Sequence, residues 1–226
     1  MSVKIFWAFR HAKSRVNAGL EGGVDPAICE GEHGSNFQAA LRELKGKVPL
    51  SVLVSGSLRS EQTARKLVPN FPNPFSVQEL LKERFWGHEM ESLLLDKKEQ
   101  KYPGYPFLHD EVTGSQPMRE VIIDSFKFFR ELKEEMLSVV DGKDSRDSFF
   151  LGVSHRHKML AMFSVATSST VEGAVKKYGE LIKTGGSENP LIENLDVIKF
   201  ELSPEGVFIV SKDGTPPWLR QHAVAK

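Results

Sequence analysis

Cysteine is almost missing from this chain. Cys29 stands alone among 226 residues, so no disulfide can form within the chain, and a reducing, cytoplasmic compartment is the expectation. Excess charge of either sign is missing too, with 30 basic residues set against 30 acidic ones. Nucleic acid and anionic membrane surfaces are recognised through an unbalanced positive field. Neither is expected as a partner, and any positive site must be local. No apolar run approaches the length of a membrane span, and the N-terminus reads directly into a strand without an apolar leader and cleavage site. Repeats and low-complexity tracts are lacking as well. What remains, at 40% hydrophobic and 27% charged, suffices to bury one sizeable core. One domain over residues 1–226 is expected.

What is present is an alternation of short apolar runs with helical patterns. Val3–Ala8, Leu50–Val54 and Phe149–Val153 read as buried strands. Helical spacing follows over Phe37–Leu44, Leu58–Val68 (with Ser57 as N-cap), Met118–Val140 and Met159–Val165. Residues 167–190 are polar with a helical middle. Leu195–Leu202 and Val207–Val210, joined by Ser203-Pro204-Glu205-Gly206, read as a hairpin that finishes the sheet. The fold class is therefore α/β, a doubly wound and mostly parallel sheet flanked by helices. From Leu95 to Ser115 charge, proline and glycine dominate, which marks an inserted cap segment instead of core. Segments 88–116 and 167–194 are expected to shape specificity.

In an open α/β sheet, ligands bind where the strands end, because loops and helix N-termini converge there. Arg10 and His11, Arg59, and His155 all fall just after expected strands. Two guanidiniums offer planar forks of donors matched to phosphate oxygens. A neutral imidazole between them can attack phosphorus, and nearby positive charge keeps its nitrogen unprotonated. His155-Arg156-His157 is a poor metal pair, since alternate residues at a helix start point in different directions and no carboxylate cluster accompanies them.

These residues also carry a resemblance. Arg10-His11-Ala12 with Ser14 and Asn17 resembles the opening motif of the histidine phosphatase superfamily, the phosphoglycerate mutase-like fold. Asp25-Pro26 with Gly34 and Gln38, the run Ser55–Ala64, Glu83-Arg84-Phe85-Trp86-Gly87 and Val153-Ser154-His155 resemble its later motifs, in the same order. The resemblance implies that His11 is the phosphorylated nucleophile. Arg10, Asn17, Arg59 and His155 hold the phosphate, Glu83 is the proton donor and acceptor, and no metal or organic cofactor is required.

Two departures accompany it. Ala12 replaces the glycine of many members, and Arg-His-Ala-Lys-Ser is similar to small phosphohistidine phosphatases of the superfamily. Gln116 closes Gly114-Ser115-Gln116, where a Gly-Glu-Ser triplet often begins the long helix. The expected function is a metal-independent phosphomonoester hydrolase acting on a small phosphorylated substrate or a phosphoprotein. The alternatives are a phosphoglycerate-type mutase, a protein phosphohistidine phosphatase and a non-catalytic phospho-ligand-binding protein.

Overall fold

Strand β1 (Lys4–Arg10) runs through the sheet, and its alternation explains the layers on either side. Phe6 and Ala8 point into one apolar cluster, Trp7 and Phe9 into the other, and all four are buried. A strand covered on both faces needs apolar residues at every position, which is why this one reads as a continuous run. The computed structural model describes residues 4–15, 27–29, 34–83, 116–138, 149–185 and 192–210.

Within those residues the order is β1, α1 (Gly34–Leu44), β2 (Ser51–Val54), α2 (Leu58–Leu67) and β3 (Ser76–Val77). A 3-10 turn (Glu79–Leu81), α3 (Met118–Ser138), β4 (Phe149–Ser154), α4 (Arg156–Ala166), α5 (Val171–Gly185), β5 (Val197–Ser203) and β6 (Gly206–Ile209) follow. The sheet order is β3-β2-β4-β1-β5-β6. The first four strands are mutually parallel, and the closing hairpin pairs antiparallel to β1 through β5. The α/β class and mostly parallel sheet agree with the sequence expectation. Helices α1 and α2 cover one face, through residues such as Ala40, Leu44, Ala64 and Leu67. On the other lie α3, α4 and α5, with Phe128, Phe129, Met162, Phe163, Tyr178 and Leu181 among the buried residues. No helix among the described residues is long and apolar enough to cross a membrane.

One glycine explains how β1 and β4 pack. A Cβ on Gly152 would stand 2.5 Å from Phe6 Cζ, so the bare backbone there gives the Phe6 ring its place over β4. Phe6 then stacks near Phe128 and Phe200, which ties three elements together.

Boundaries shift where polar residues are buried or the backbone leaves the extended form. Helix α4 begins at Arg156, three residues before the apolar run, because His157 and Lys158 are buried despite their polarity. The closing hairpin begins at Val197 instead of Leu195, since Leu195 has a left-handed φ of 68° that no strand accommodates. Of the two segments expected to shape specificity, 88–115 lies outside the described residues, and 167–194 contains α5. That helix buries Ala174, Tyr178, Leu181 and Ile182.

Candidate active site

Parallel pairing fixes the first feature of the site. Arg10 lies opposite Ser154 in the β1–β4 register, so the next residues of the two strands, His11 and His155, emerge side by side. Their ring centroids are 5.2 Å apart. The third contributor arrives by a capped helix. Ser57 accepts a hydrogen bond from Ser60 N and starts α2 directly after β2, which places Arg59 in the first turn. Gly56, at φ 75°, makes the turn between them. The 3-10 turn ends at Lys82 and delivers Glu83.

The structure brings four of these groups into direct contact range. Arg59 Nη2 lies 3.3 Å from Glu83 Oε2 and 3.3 Å from His155 Nδ1, and the same Glu83 oxygen is 3.4 Å from His155 Nδ1. His11 joins them through its ring contact with His155. Arg10 closes the cluster from β1, with Nη1 donating to the Ile192 carbonyl at 2.5 Å. Among the described residues its buried Nε has no hydrogen-bond partner, a donor left for a ligand. Asn17, Asp25-Pro26 and Arg84–Gly87 lie outside the described residues.

Hydrogen bonds assign both imidazole tautomers. His11 Nδ1 is 2.7 Å from the Ala12 carbonyl. A carbonyl only accepts, so Nδ1 carries the proton and Nε2 keeps its lone pair. At His155 the assignment runs through serines. Ser60 Oγ donates to the Ser57 carbonyl at 2.8 Å, and Ser55 Oγ donates to Ser60 Oγ at 3.0 Å. Ser55 has then spent its only proton, so it accepts from His155 Nε2 at 2.8 Å. Nδ1 is left as an acceptor facing Arg59.

Electrostatics keep both rings uncharged. His11 is 4% exposed, and burial, followed by His155 and Arg10, holds its pKa well below 6.5. Burial, then Arg59 and Arg10, lowers His155 to about 3. Arg10 falls to about 10 through burial and the neighbouring Arg156, which leaves it cationic at neutral pH. Two guanidiniums, two neutral imidazoles and one carboxyl group therefore lie together, a set of partners suited to a tetrahedral oxyanion. His157 belongs elsewhere, with Nδ1 3.4 Å from the Tyr178 hydroxyl. Among the described residues, no group of three or more His, Cys, Asp or Glu is placed to hold a metal ion.

Several residues reach this site that sequence reading left without a role. Ser55 and Ser60 were visible within a motif, but their relay to His155 depends on the fold. Thr63 Oγ1 accepts from Ala12 N at 2.9 Å and donates to the Arg59 carbonyl at 2.6 Å. Asn194 Nδ2 donates to the His11 carbonyl at 2.8 Å across 183 residues of sequence. No local pattern signals a contact of that separation.

Comparison with known proteins places this geometry in a family. The chain aligns along nearly its full length with solved structures at low identity. One, mycobacterial hydrolase 2, is 18% identical at a TM-score of 0.68, covering 98% of this chain and 97% of that one. A mycobacterial glucosyl-3-phosphoglycerate phosphatase, solved in complex with VO3, is 20% identical at 0.66, covering 92% and 96%. A phosphoglycerate mutase from Bacillus anthracis is 15% identical at 0.65, covering 97% and 96%. No curated protein sequence matches the chain. The model of the histidine phosphatase superfamily (branch 1) matches residues 6–176, and those residues include Arg10, His11, Arg59, Glu83 and His155. The chain belongs to the histidine phosphatase superfamily.

Proposed function

We propose that this protein is a metal-independent phosphomonoesterase of the cytoplasm, acting on a small phosphorylated substrate through a phosphohistidine on His11. The observation that carries this reading is the bond from His11 Nδ1 to the Ala12 carbonyl. It leaves the Nε2 lone pair free in a crevice lined by Arg10, Arg59 and His155. Asn17, carried over from the family motif, completes the set of phosphate ligands.

The chemistry balances with these groups alone. His11 Nε2 forms a bond to phosphorus while the bond from phosphorus to the ester oxygen breaks, and that oxygen takes a proton from the Glu83 carboxyl. The phosphorylated ring becomes formally cationic, and the Ala12 carbonyl on Nδ1–H stabilises it. Arg10 and Arg59 hold the equatorial oxygens as charge builds on them. In the second half, Glu83 as carboxylate removes a proton from water. The water oxygen bonds to phosphorus, and the N–P bond returns its electrons to Nε2. Glu83 is 30% exposed, so its carboxyl group meets the water that this step needs.

His155 changes state along this path. Burial, then the charges of Arg59 and Arg10, suppresses its protonation, and a bound phosphate dianion opposes all three, so Nδ1 takes a proton from solvent and donates to the ligand while Nε2–H stays on Ser55.

Phosphate release from p-nitrophenyl phosphate and a panel of natural phosphate esters, with chelator present, tests the reading. Chelator-resistant turnover that is lost in His11→Ala is the expected result. Turnover unaffected by that substitution, or phosphoglycerate isomerisation exceeding phosphate release, overturns it.

A further inference from the structure

The turn Ile192–Asp196 lies beyond residue 176, where the family match ends, yet it grips the end of β1 through side chain and backbone. Arg10 N donates to the Asp196 carbonyl at 3.0 Å, and Leu195 N donates to the Arg10 carbonyl at 3.1 Å. Ile192 takes the Arg10 guanidinium, and Asn194 takes the His11 carbonyl. The turn is itself braced, since Glu193 N donates to Asp196 Oδ2 at 2.6 Å. Asn36 Nδ2 reaches Glu193 Oε2 at 3.3 Å from α1.

Backbone strain sits at the centre of this grip. Leu195 is the only non-glycine residue with positive φ among the described residues, at 68°. A left-handed leucine is strained, and such a conformation persists only where its surroundings over-determine it. Here it lets Asn194 face His11 while Leu195 N returns to Arg10.

The consequence concerns one peptide plane. The carbonyl of His11 is held by Asn194 on one side, and the N–H of Ala12, across the same peptide bond, is held by Thr63 on the other. That plane leads to the Ala12 carbonyl, the acceptor that keeps the proton on His11 Nδ1. The N–H of His11 is fixed by the Ser154 carbonyl at 2.9 Å. Without Asn194, the peptide between residues 11 and 12 keeps one restraint and can rotate. The Ala12 carbonyl then swings from the ring, and the proton redistributes to Nε2.

We infer that Asn194 is a positioning residue for the nucleophile, fixing the His11–Ala12 peptide and through it the tautomer that leaves His11 Nε2 unprotonated. The assignment rests on His11 being the nucleophile.

The deciding experiment compares the unmodified protein with Asn194→Ala and with Asn194→Asp, which keeps the volume but removes the donor. The ring nitrogens of His11 are read by long-range proton–nitrogen NMR at neutral pH, and kcat and KM by p-nitrophenyl phosphate hydrolysis. The unmodified protein should show a single Nδ1-protonated ring, and both variants a mixed tautomer. Misplacing a reacting group by an ångström costs up to roughly 100-fold, so kcat should fall about 10- to 100-fold, with KM within about threefold. Unchanged His11 nitrogen signals in either folded variant overturn the assignment, whatever the activity. If neither variant folds, Asn194 is structural and the assignment also fails. If the unmodified protein hydrolyses no ester, the phosphatase reading falls, and the ring signals alone still decide whether Asn194 sets the tautomer.

Discussion

His11 and His155 leave neighbouring parallel strands at the same level, and both are dehydrated and uncharged. Their surroundings nevertheless divide the work between them. The His11 ring is held by main chain, with Nδ1 on the Ala12 carbonyl, and its backbone is fixed by the Ser154 carbonyl and by the side chains of Asn194 and Thr63. The His155 region is held by side chains, with Ser55 at Nε2 and Arg59 and Glu83 at Nδ1. One imidazole keeps a free lone pair, and the other has both nitrogens engaged. Burial makes each ring neutral, but only hydrogen bonding decides which is a nucleophile. A backbone acceptor cannot change protonation, and once Asn194 and Thr63 fix the preceding peptide it keeps its direction, so it suits the ring that must attack. Hydroxyl and guanidinium partners tolerate a ring that gains and loses a proton.

The largest expected effect breaks this division outright. His11→Ala should lower kcat by about 10⁴-fold or more, as loss of a covalent nucleophile does, and acid-quenched protein should carry no phosphohistidine. His155→Ala should leave a slow reaction with phosphohistidine still trapped. Equal trapping in both variants would falsify the division. Arg59→Ala removes a cation that meets both His155 and Glu83. A preorganised donor to transition-state oxygens is worth roughly 10²- to 10³-fold in kcat, and Arg59→Lys, lacking the planar fork, should recover only part of it.

Ser55→Ala sharpens the contrast at lower amplitude. It takes away the acceptor of His155 Nε2–H, and a single neutral hydrogen bond is worth about 1 kcal/mol, roughly fivefold. The protonation change at His155 can be followed directly. Its pKa of about 3 in the free protein rises when a dianion arrives, so phosphate binding at pH 8, where the free ligand is already a dianion, should take up protons. Calorimetry in buffers of different ionisation enthalpy measures that uptake. It should be nearly lost in His155→Gln and retained in His11→Gln. The reverse pattern would exchange the two roles.

How much of this was legible beforehand follows from how local each signal is. Strand ends and the helix cap at Ser57 are local, so Arg10, His11, Arg59 and His155 could be placed together from apolar periodicity alone. The motif resemblance then singled out Glu83. The interactions that assign tautomers are not local. Ser55 meets His155 across 100 residues and Asn194 meets His11 across 183, separations at which no spacing rule operates. Buried polar residues misled in the same way. His157 and Lys158 look like the solvated start of a helix, but both are covered, so the apolar pattern placed the start of α4 too late. Leu195 looks like the first residue of a strand, and only its left-handed φ shows that it belongs to the turn gripping β1.

The smallest expected effect is on stability, and it separates the two regions by sign. Asp196 belongs to the turn on the His11 side, where burial raises its carboxyl from 3.8 to about 6. An acid with a raised folded pKa binds its proton more tightly when folded. Its stabilising contribution is complete below about 3.8 and is lost as pH rises through about 6. His155, depressed from 6.5 to about 3, does the opposite: its contribution is present above 6.5 and lost as pH falls through about 3. Asp196→Asn keeps an oxygen for the Glu193 N–H without the buried charge. It should stabilise the protein by about 1 to 3 kcal/mol at pH 7, on the scale of two pKa units, with the advantage shrinking toward pH 4. Urea unfolding at pH 7, 5.5 and 4 measures this. A gain that is constant across the three pH values would mean that the carboxylate of Asp196 is not what strains the turn, and that its side chain acts there only through packing.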